Sequence, residues 1–387
     1  MMKLHRRSLL LAGWAATLVA VAPGVCADTG AATNRKLVII ILRGAMDGMA
    51  ALPKTDDPDI HAHRGALVDA KAIALSDGFA LHSAMPGLAA MYRANEAAFV
   101  PAIAGPYRER SHFAAQDLLE CGEISQVSAD GWLNRALLKA PAAYSAVSIG
   151  PSQPLVLRGA AVNATSWSPA VLPEASDDTL QRLLDLYEND TVLKASLSAA
   201  LGADRVAGSM QADGMGGRAG PAQYVPQLVA AGKFLAQPGG PQIAVVSLEG
   251  WDTHAGQNQA LQQRFTALDT GIAALKAQLG DIWKTTAVMA ISEFGRTVRI
   301  NGGGGTDHGT GGLAILAGGA IKGGRMLGDW PGLKSSALFE DRDLRPAVDA
   351  RSMFKGLLRD QLGWASGDLD SAIFRDSAAA KAMGGLV

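Results

Sequence analysis

The stretch KLVIIILRG, Lys36–Gly44, is a continuous apolar run closed by arginine and glycine. A strand with one wet face alternates apolar and polar residues, whereas an unbroken run is buried on both faces, as in a parallel sheet. AAFVPAIAG (Ala97–Gly105), AVSIG (Ala146–Gly150), PQIAVVSLEG (Pro241–Gly250) and TTAVMAISEFG (Thr285–Gly295) have the same character, and GLAILAGG (Gly312–Gly319) is a weaker case. Helical patterns lie between them: SAMPGLAAMYRAN, SHFAAQDLLECG, DTLQRLLDLYENDTVLKASLSAAL, NQALQQRFTALDTGIAALKAQLG and SMFKGLLRDQLG. Strands alternating with helices predict a doubly wound α/β domain.

The 387 residues carry a formal net charge of −1, so nothing points to nucleic acid, which needs a basic face. The N-terminus MMKLHRRSLLLAGWAATLVAVAPGVCA has a positive start, an apolar run and a small-residue ending, which predicts a signal peptide over 1–27. Arg6-Arg7 followed by Ser8-Leu9-Leu10 reads as a twin-arginine signal, so the expected location is periplasmic or secreted. The apolar run is short for a spanning helix, and no membrane association is expected after cleavage. Cleavage removes Cys26 and leaves Cys121, which excludes an internal disulfide and cysteine-based metal clusters. A short linker (28–35) then leads into a single α/β domain over 36–387, with a mobile glycine-rich connection over 202–220.

Ligands of open α/β sheets bind beyond the carboxyl ends of the strands. There the chain places Asp47 in LRGAMDGM, Ser111 in GPYRERSHFAAQD, Asp252 and His254 in EGWDTHAGQ, Glu293 and Arg296 in SEFGRT, and Asp307 and His308 in NGGGGTDHGTGG. Imidazole and carboxylate together suit zinc, iron or manganese, and carboxylates alone suit magnesium or calcium. Such a metal polarises a phosphoryl or sulfuryl oxygen and activates water or a serine hydroxyl, while an arginine such as Arg43, Arg110 or Arg296 binds anionic oxygens. Each residue also has a structural reading. Asp47 fits a turn, Ser111 a helix N-cap, Glu293 a salt bridge to Arg296, and Asp252 with His254 a plain hydrogen bond. His112 reads as a first-turn surface or core histidine, and His61 and His63 as loop residues. The chain has no G-x-S-x-G elbow, Walker loop or H-E-x-x-H.

The segments LRGAMDGM, PYRERSHFAAQDLLECG, GWLNRAL, SLEGWDTHAGQ and SEFGRTVRINGGGGTDHGTGG, with the twin-arginine start, resemble the domain-of-unknown-function 1501 family of the alkaline phosphatase and sulfatase superfamily. The resemblance implies a three-layer α/β/α sandwich with a mostly parallel sheet. It implies Asp47, Asp252, His254, Glu293 and His308 as metal ligands and Ser111 as nucleophile, with Asp307 either a ligand or the residue that orients His308. Two departures stand out. The late pair is Asp252-Thr253-His254 where the superfamily often spaces Asp-x-x-x-His. Phe294 stands where a ligand histidine is usual, so one ligand of a two-metal site is missing.

Two functions follow. One is an exported metal-dependent hydrolase or transferase of a phosphate or sulfate ester, acting on a small anionic ester or glycan, with Ser111 and Arg296 catalytic. The other is a non-catalytic exported protein that keeps the fold and binds a partner protein or a surface glycan.

Overall fold

A computed structural model describes residues 35–387 except 142–143, 151, 162, 169–185, 188–189 and 191–219. The signal predicted over 1–27, the linker apart from Arg35, most of the helix predicted over 178–201 and the connection over 202–220 apart from Gly220 lie outside the described residues.

The run that opens the domain forms β1 (Lys36–Arg43), buried along almost its whole length. Successive side chains of a strand point to opposite faces. Val38, Ile40 and Leu42 accordingly pack into one core with Leu88, Leu228, Phe265 and Leu275, and Leu37, Ile39 and Ile41 into a second with Leu133, Met353, Phe354 and Leu357. Two cores on two faces of one sheet make a three-layer α/β/α sandwich.

In chain order β1 is followed by α1 (Gly48–Ala51), α2 (Ile60–Arg64), the small hairpin β2 (Ile73–Ala74) and β3 (Ala80–Leu81), α3 (Pro86–Arg93) and β4 (Ala97–Ala104). Then come α4 (His112–Cys121), α5 (Trp132–Lys139), β5 (Ala146–Ile149) and β6 (Ala164–Trp167). After these are α6 (Tyr224–Ala236), β7 (Ile243–Glu249), α7 (Gln257–Leu279), β8 (Thr286–Ile291), β9 (Gly312–Ala317), β10 (Arg325–Met326), β11 (Val348–Asp349) and α8 (Ala350–Leu362). The main sheet runs β10-β4-β9-β8-β1-β7-β5-β6, with β11 also on β4.

Every expected strand forms, and the pairs of β1 with β7 and β8, β5 with β6 and β7, and β4 with β10 and β11 are parallel. The exception is β9, antiparallel to both β4 and β8. Only a loop joins β8 to β9, without the helix a parallel crossover requires. The reversal puts the start of β9 at the edge where β1, β4, β7 and β8 end, with Gly312 beside Ile103 and Ala314 beside Ile291. The loop NGGGGTDHGTGG therefore lies at the carboxyl edge of the parallel strands.

Candidate metal centre

Four connections meet at that edge: those after β1, β4 and β7, and the β8–β9 loop. His112 is the first residue of α4. Its Nδ1 lies 2.6 Å from Glu293 Oε1, the geometry of an N–H donated to a carboxylate. His308 Nδ1 lies 3.0 Å from the carbonyl oxygen of Arg110, and His254 Nδ1 lies 3.3 Å from Asp307 Oδ1. An acceptor at Nδ1 places the ring proton there and leaves the lone pair on Nε2. The Nε2 atoms of His112 and His254 each approach that of His308. His308 Nε2 is 2.9 Å from His112 Nε2 and 3.0 Å from His254 Nε2.

Asp252 completes the cluster. Its Oδ1 is 3.0 Å from His254 Nε2 and 3.5 Å from His308 Nε2, and its Oδ2 is 3.5 Å from His112 Nε2. Donor atoms of His112, Asp252 and His308 all fall within 4.8 Å of one another. Ligands around a tetrahedral zinc-type ion with bonds of about 2.0–2.1 Å lie about 3.3–3.4 Å apart. Lone pairs facing each other at these separations repel unless a cation or proton lies between them. The donor set fits a metal, and two imidazoles beside one carboxylate, with His254 adjacent, suit zinc, iron or manganese better than calcium or magnesium.

The titration behaviour follows from the contacts. Glu293's hydrogen bond and charge raise the His112 pKa above the usual imidazole value, against the opposing effect of burial. Burial, and then the neighbouring His112, lower that of His308. Burial works against ionisation of Asp252, but Arg296 outweighs it and holds the carboxyl below its ordinary range. For Asp307 the Asn301 hydrogen bond is the leading cause of a lowered pKa.

Arg296 is fully buried and makes no opening for a substrate. Its guanidinium donates to the carbonyl oxygens of Ala45 (2.8 Å), Thr306 (3.1 Å), Gly44 (2.9 Å) and Trp251 (3.2 Å), and to Asp252 Oδ1 (2.5 Å). One side chain thus ties the β1, β7 and β8–β9 connections together and orients the Asp252 carboxylate.

Asp47 is also fully buried. Its carboxylate accepts from the Ala50 amide (3.0 Å) as the N-cap of α1, from Arg64 Nη1 (2.8 Å) and Nη2, from Gln257 Nε2 (2.5 Å) and from Thr306 Oγ1 (3.4 Å). Gln257 Oε1 accepts in turn from Thr306 Oγ1 at 2.7 Å and Thr253 Oγ1 at 3.2 Å. Asp47 is therefore joined to the β7 and β8–β9 connections through Gln257 and Thr306 and not gathered with His112, Asp252 and His308. Glu293 likewise bears on the cluster through His112.

Ser111 occupies the N-cap position of α4, is exposed, and makes no side-chain cap bond. Phe294 is buried with its ring 4.9 Å from that of His112 and 5.4 Å from that of His308, an apolar floor under both imidazoles. His112, which reads in sequence as a first-turn surface or core histidine, instead faces Glu293 through Nδ1 and His308 through Nε2. Its position directly after Ser111, in a strand-end segment, was the available signal.

The glycine loop has a specific shape. Asn301 Oδ1 accepts from the Gly303 and Gly305 amides at 2.9 and 3.1 Å, and its Nδ2 donates at 3.0 Å to both the His254 carbonyl and Asp307 Oδ1. A Cβ at Gly305 would stand 2.5 Å from the His254 carbonyl group, so only glycine allows these two loops to approach this closely.

The chain is similar to several solved structures at low sequence identity. The C-terminal periplasmic domain of EcEptC from Escherichia coli in complex with Zn is 9% identical, covering 79% of this chain and 77% of that one at a TM-score of 0.40. The phosphonate monoester hydrolase of Agrobacterium radiobacter is 12% identical, covering 86% and 74% at 0.38. A protein in the alkaline phosphatase superfamily from Vibrio parahaemolyticus is 12% identical, covering 88% and 69% at 0.42. No curated protein matches the chain significantly. Residues 106–371, which carry His112, Asp252, His254, Glu293 and His308, match the family described as "Protein of unknown function (DUF1501)". The chain belongs to the domain-of-unknown-function 1501 family.

Proposed function

We propose that this protein is an exported metal-dependent hydrolase or transferase acting on a phosphate or sulfate ester, with one divalent ion held by His112, Asp252, His254 and His308. The observation that carries this reading is the gathering of donor atoms of His112, Asp252 and His308 within 4.8 Å of one another, with His254 Nε2 3.0 Å from both His308 Nε2 and Asp252 Oδ1. Zinc, manganese or iron bound there would supply Lewis acidity toward an anionic ester oxygen.

The remaining work falls to the chain. Arg296 orients Asp252, Glu293 and the Arg110 carbonyl orient His112 and His308, and Phe294 excludes water from one side of the rings. The side chains of His254 and Asp252 are 45% and 43% exposed, which leaves the centre open to a small anionic ester or glycan. Ser111, exposed and free of a capping bond at the start of α4, is the candidate nucleophile. Twin-arginine export of residues 28–387 as one domain after a signal over 1–27 completes the reading, since that route carries proteins already folded.

A binding or accessory role at the same centre is favoured by one observation: Arg296 spends its donors inside the protein and presents none to a substrate.

The test is elemental analysis of the purified protein together with aryl phosphate and aryl sulfate assays of wild type and His308→Ala. Bound metal with turnover that His308→Ala abolishes is the expected result. Bound metal without turnover selects the accessory role, and absence of both metal and turnover overturns the metal reading.

A further inference from the structure

Glu293 is a buried carboxylate with lopsided contacts. Its side chain is fully buried. Oε1 accepts from the Gly44 amide at 2.9 Å and from Gln116 Nε2 at 3.0 Å, and it faces His112 Nδ1 at 2.6 Å. Oε2 has no hydrogen-bond partner at all. Among the described residues no lysine or arginine pairs with Glu293. Arg43 reaches it only through the amide of Gln116, donating to Gln116 Oε1 at 2.9 Å while its ion pair goes to Glu120. Burying a carboxylate without a cation in contact is costly. The group that can carry positive charge to Glu293 is His112, whose other nitrogen points into the cluster.

We infer that Glu293 is the positioning residue of the metal centre: through His112 Nδ1 it fixes the ring and its tautomer and supplies the buried negative charge that a cation at His112 Nε2 balances. This rests on the metal reading proposed above. It differs from the ligand role implied by family resemblance, because no bond from Glu293 to the ion is involved. Carboxylates in this relation to a ligand imidazole raise its basicity.

The geometry supplies a clean variant. In Glu293→Gln the amide oxygen keeps the three contacts of Oε1, and the amide nitrogen replaces Oε2, which has no contact to lose. Shape is kept and charge is removed.

The experiment is titration of the apo full-length protein with Co²⁺ and Zn²⁺ against a chromophoric chelator. Wild type should bind one equivalent. Glu293→Gln should bind one equivalent about 10- to 100-fold more weakly. Its Co²⁺ visible absorption should keep the wild-type intensity, and its apo form should melt with wild type. Affinity equal to wild type overturns the inference. So does a change of Co²⁺ coordination in the spectrum, since that would make Glu293 a ligand. If Glu293→Gln does not fold, Glu293→Asp serves instead. It keeps the charge but draws the carboxylate back from His112, and undiminished affinity in that variant overturns the inference equally. A wild-type protein that binds neither ion fails the metal reading itself, a result that none of the variant comparisons can produce.

Discussion

His112 Nε2 and His308 Nε2 stand 2.9 Å apart across 196 residues of sequence. His112 opens α4 just after β4, and His308 precedes β9, which runs antiparallel against β4. Had β9 run with its neighbours, its leading residues would start at the opposite edge of the sheet. The reversed strand is what brings the loop carrying His308 to the edge where the segments carrying His112 and His254 also lie.

The Asp47–Arg64 pair should be worth more when broken than when kept. Arg64→Met strands a carboxylate with no exposure, and we expect a loss of about 3–5 kcal/mol in denaturant unfolding. The double variant with Asp47→Asn should recover part of that loss, and failure to recover any would show that the arginine acts through packing alone.

The same pair sets an acid limb. Burial opposes ionisation of Asp47, but Arg64 with the hydrogen bonds from Ala50 and Gln257 outweighs it, so its folded pKa lies below the unfolded value. A depressed carboxyl contributes stability that is complete above the unfolded pKa, about 3.9, and is lost as the pH falls through the folded value. Stability measured between about pH 2 and 6 should drop less steeply at its acid end in Asp47→Asn than in wild type. An identical slope would assign the acid limb to other groups.

Arg296→Lys is not conservative in this setting. A single ammonium cannot reach four carbonyl oxygens and the Asp252 carboxylate from one position. Each buried acceptor left without a donor costs about 1–3 kcal/mol, so we expect at least about 3 kcal/mol of destabilisation and weaker metal retention. Wild-type stability in this variant would mean that water replaces the guanidinium.

Gly305→Ala should act on the centre and spare the cores. Its Cβ would meet the His254 carbonyl group at 2.5 Å, whereas a Cβ at Gly302 meets nothing within 4 Å. The expected cost is about 1–3 kcal/mol of stability, with metal affinity lowered by about tenfold or more. Gly302→Ala is the control and should leave both unchanged. Equal metal binding in the two variants would remove the glycine from the argument about ligand placement.

Ser111→Ala separates chemistry from structure. With no cap bond and an exposed side chain, the change should leave stability within about 0.5 kcal/mol of wild type. If the hydroxyl attacks the ester, turnover should fall by at least about a thousandfold with metal still bound. Full turnover in the variant would assign the attack to water.

Sequence alone was enough for the strands and for the edge that matters. An unbroken run such as Lys36–Gly44 has one physical explanation, burial on both faces, and the turns that follow such strands are where acids and histidines collect. Asp252, His254 and His308 are legible in that way as strand-end residues. Only the tertiary structure separated their roles from those of their neighbours. A buried carboxylate reads the same in sequence whether it meets a metal or a guanidinium, and Arg64, seventeen residues after Asp47, claims both of its oxygens. A first-turn histidine reads as a surface residue until the partner of its Nδ1 is known, and Glu293, the partner of His112, is 181 residues away. Residue type and local period determine which segments are buried. Which donor faces which acceptor is decided by strand direction and loop packing, which no local pattern encodes.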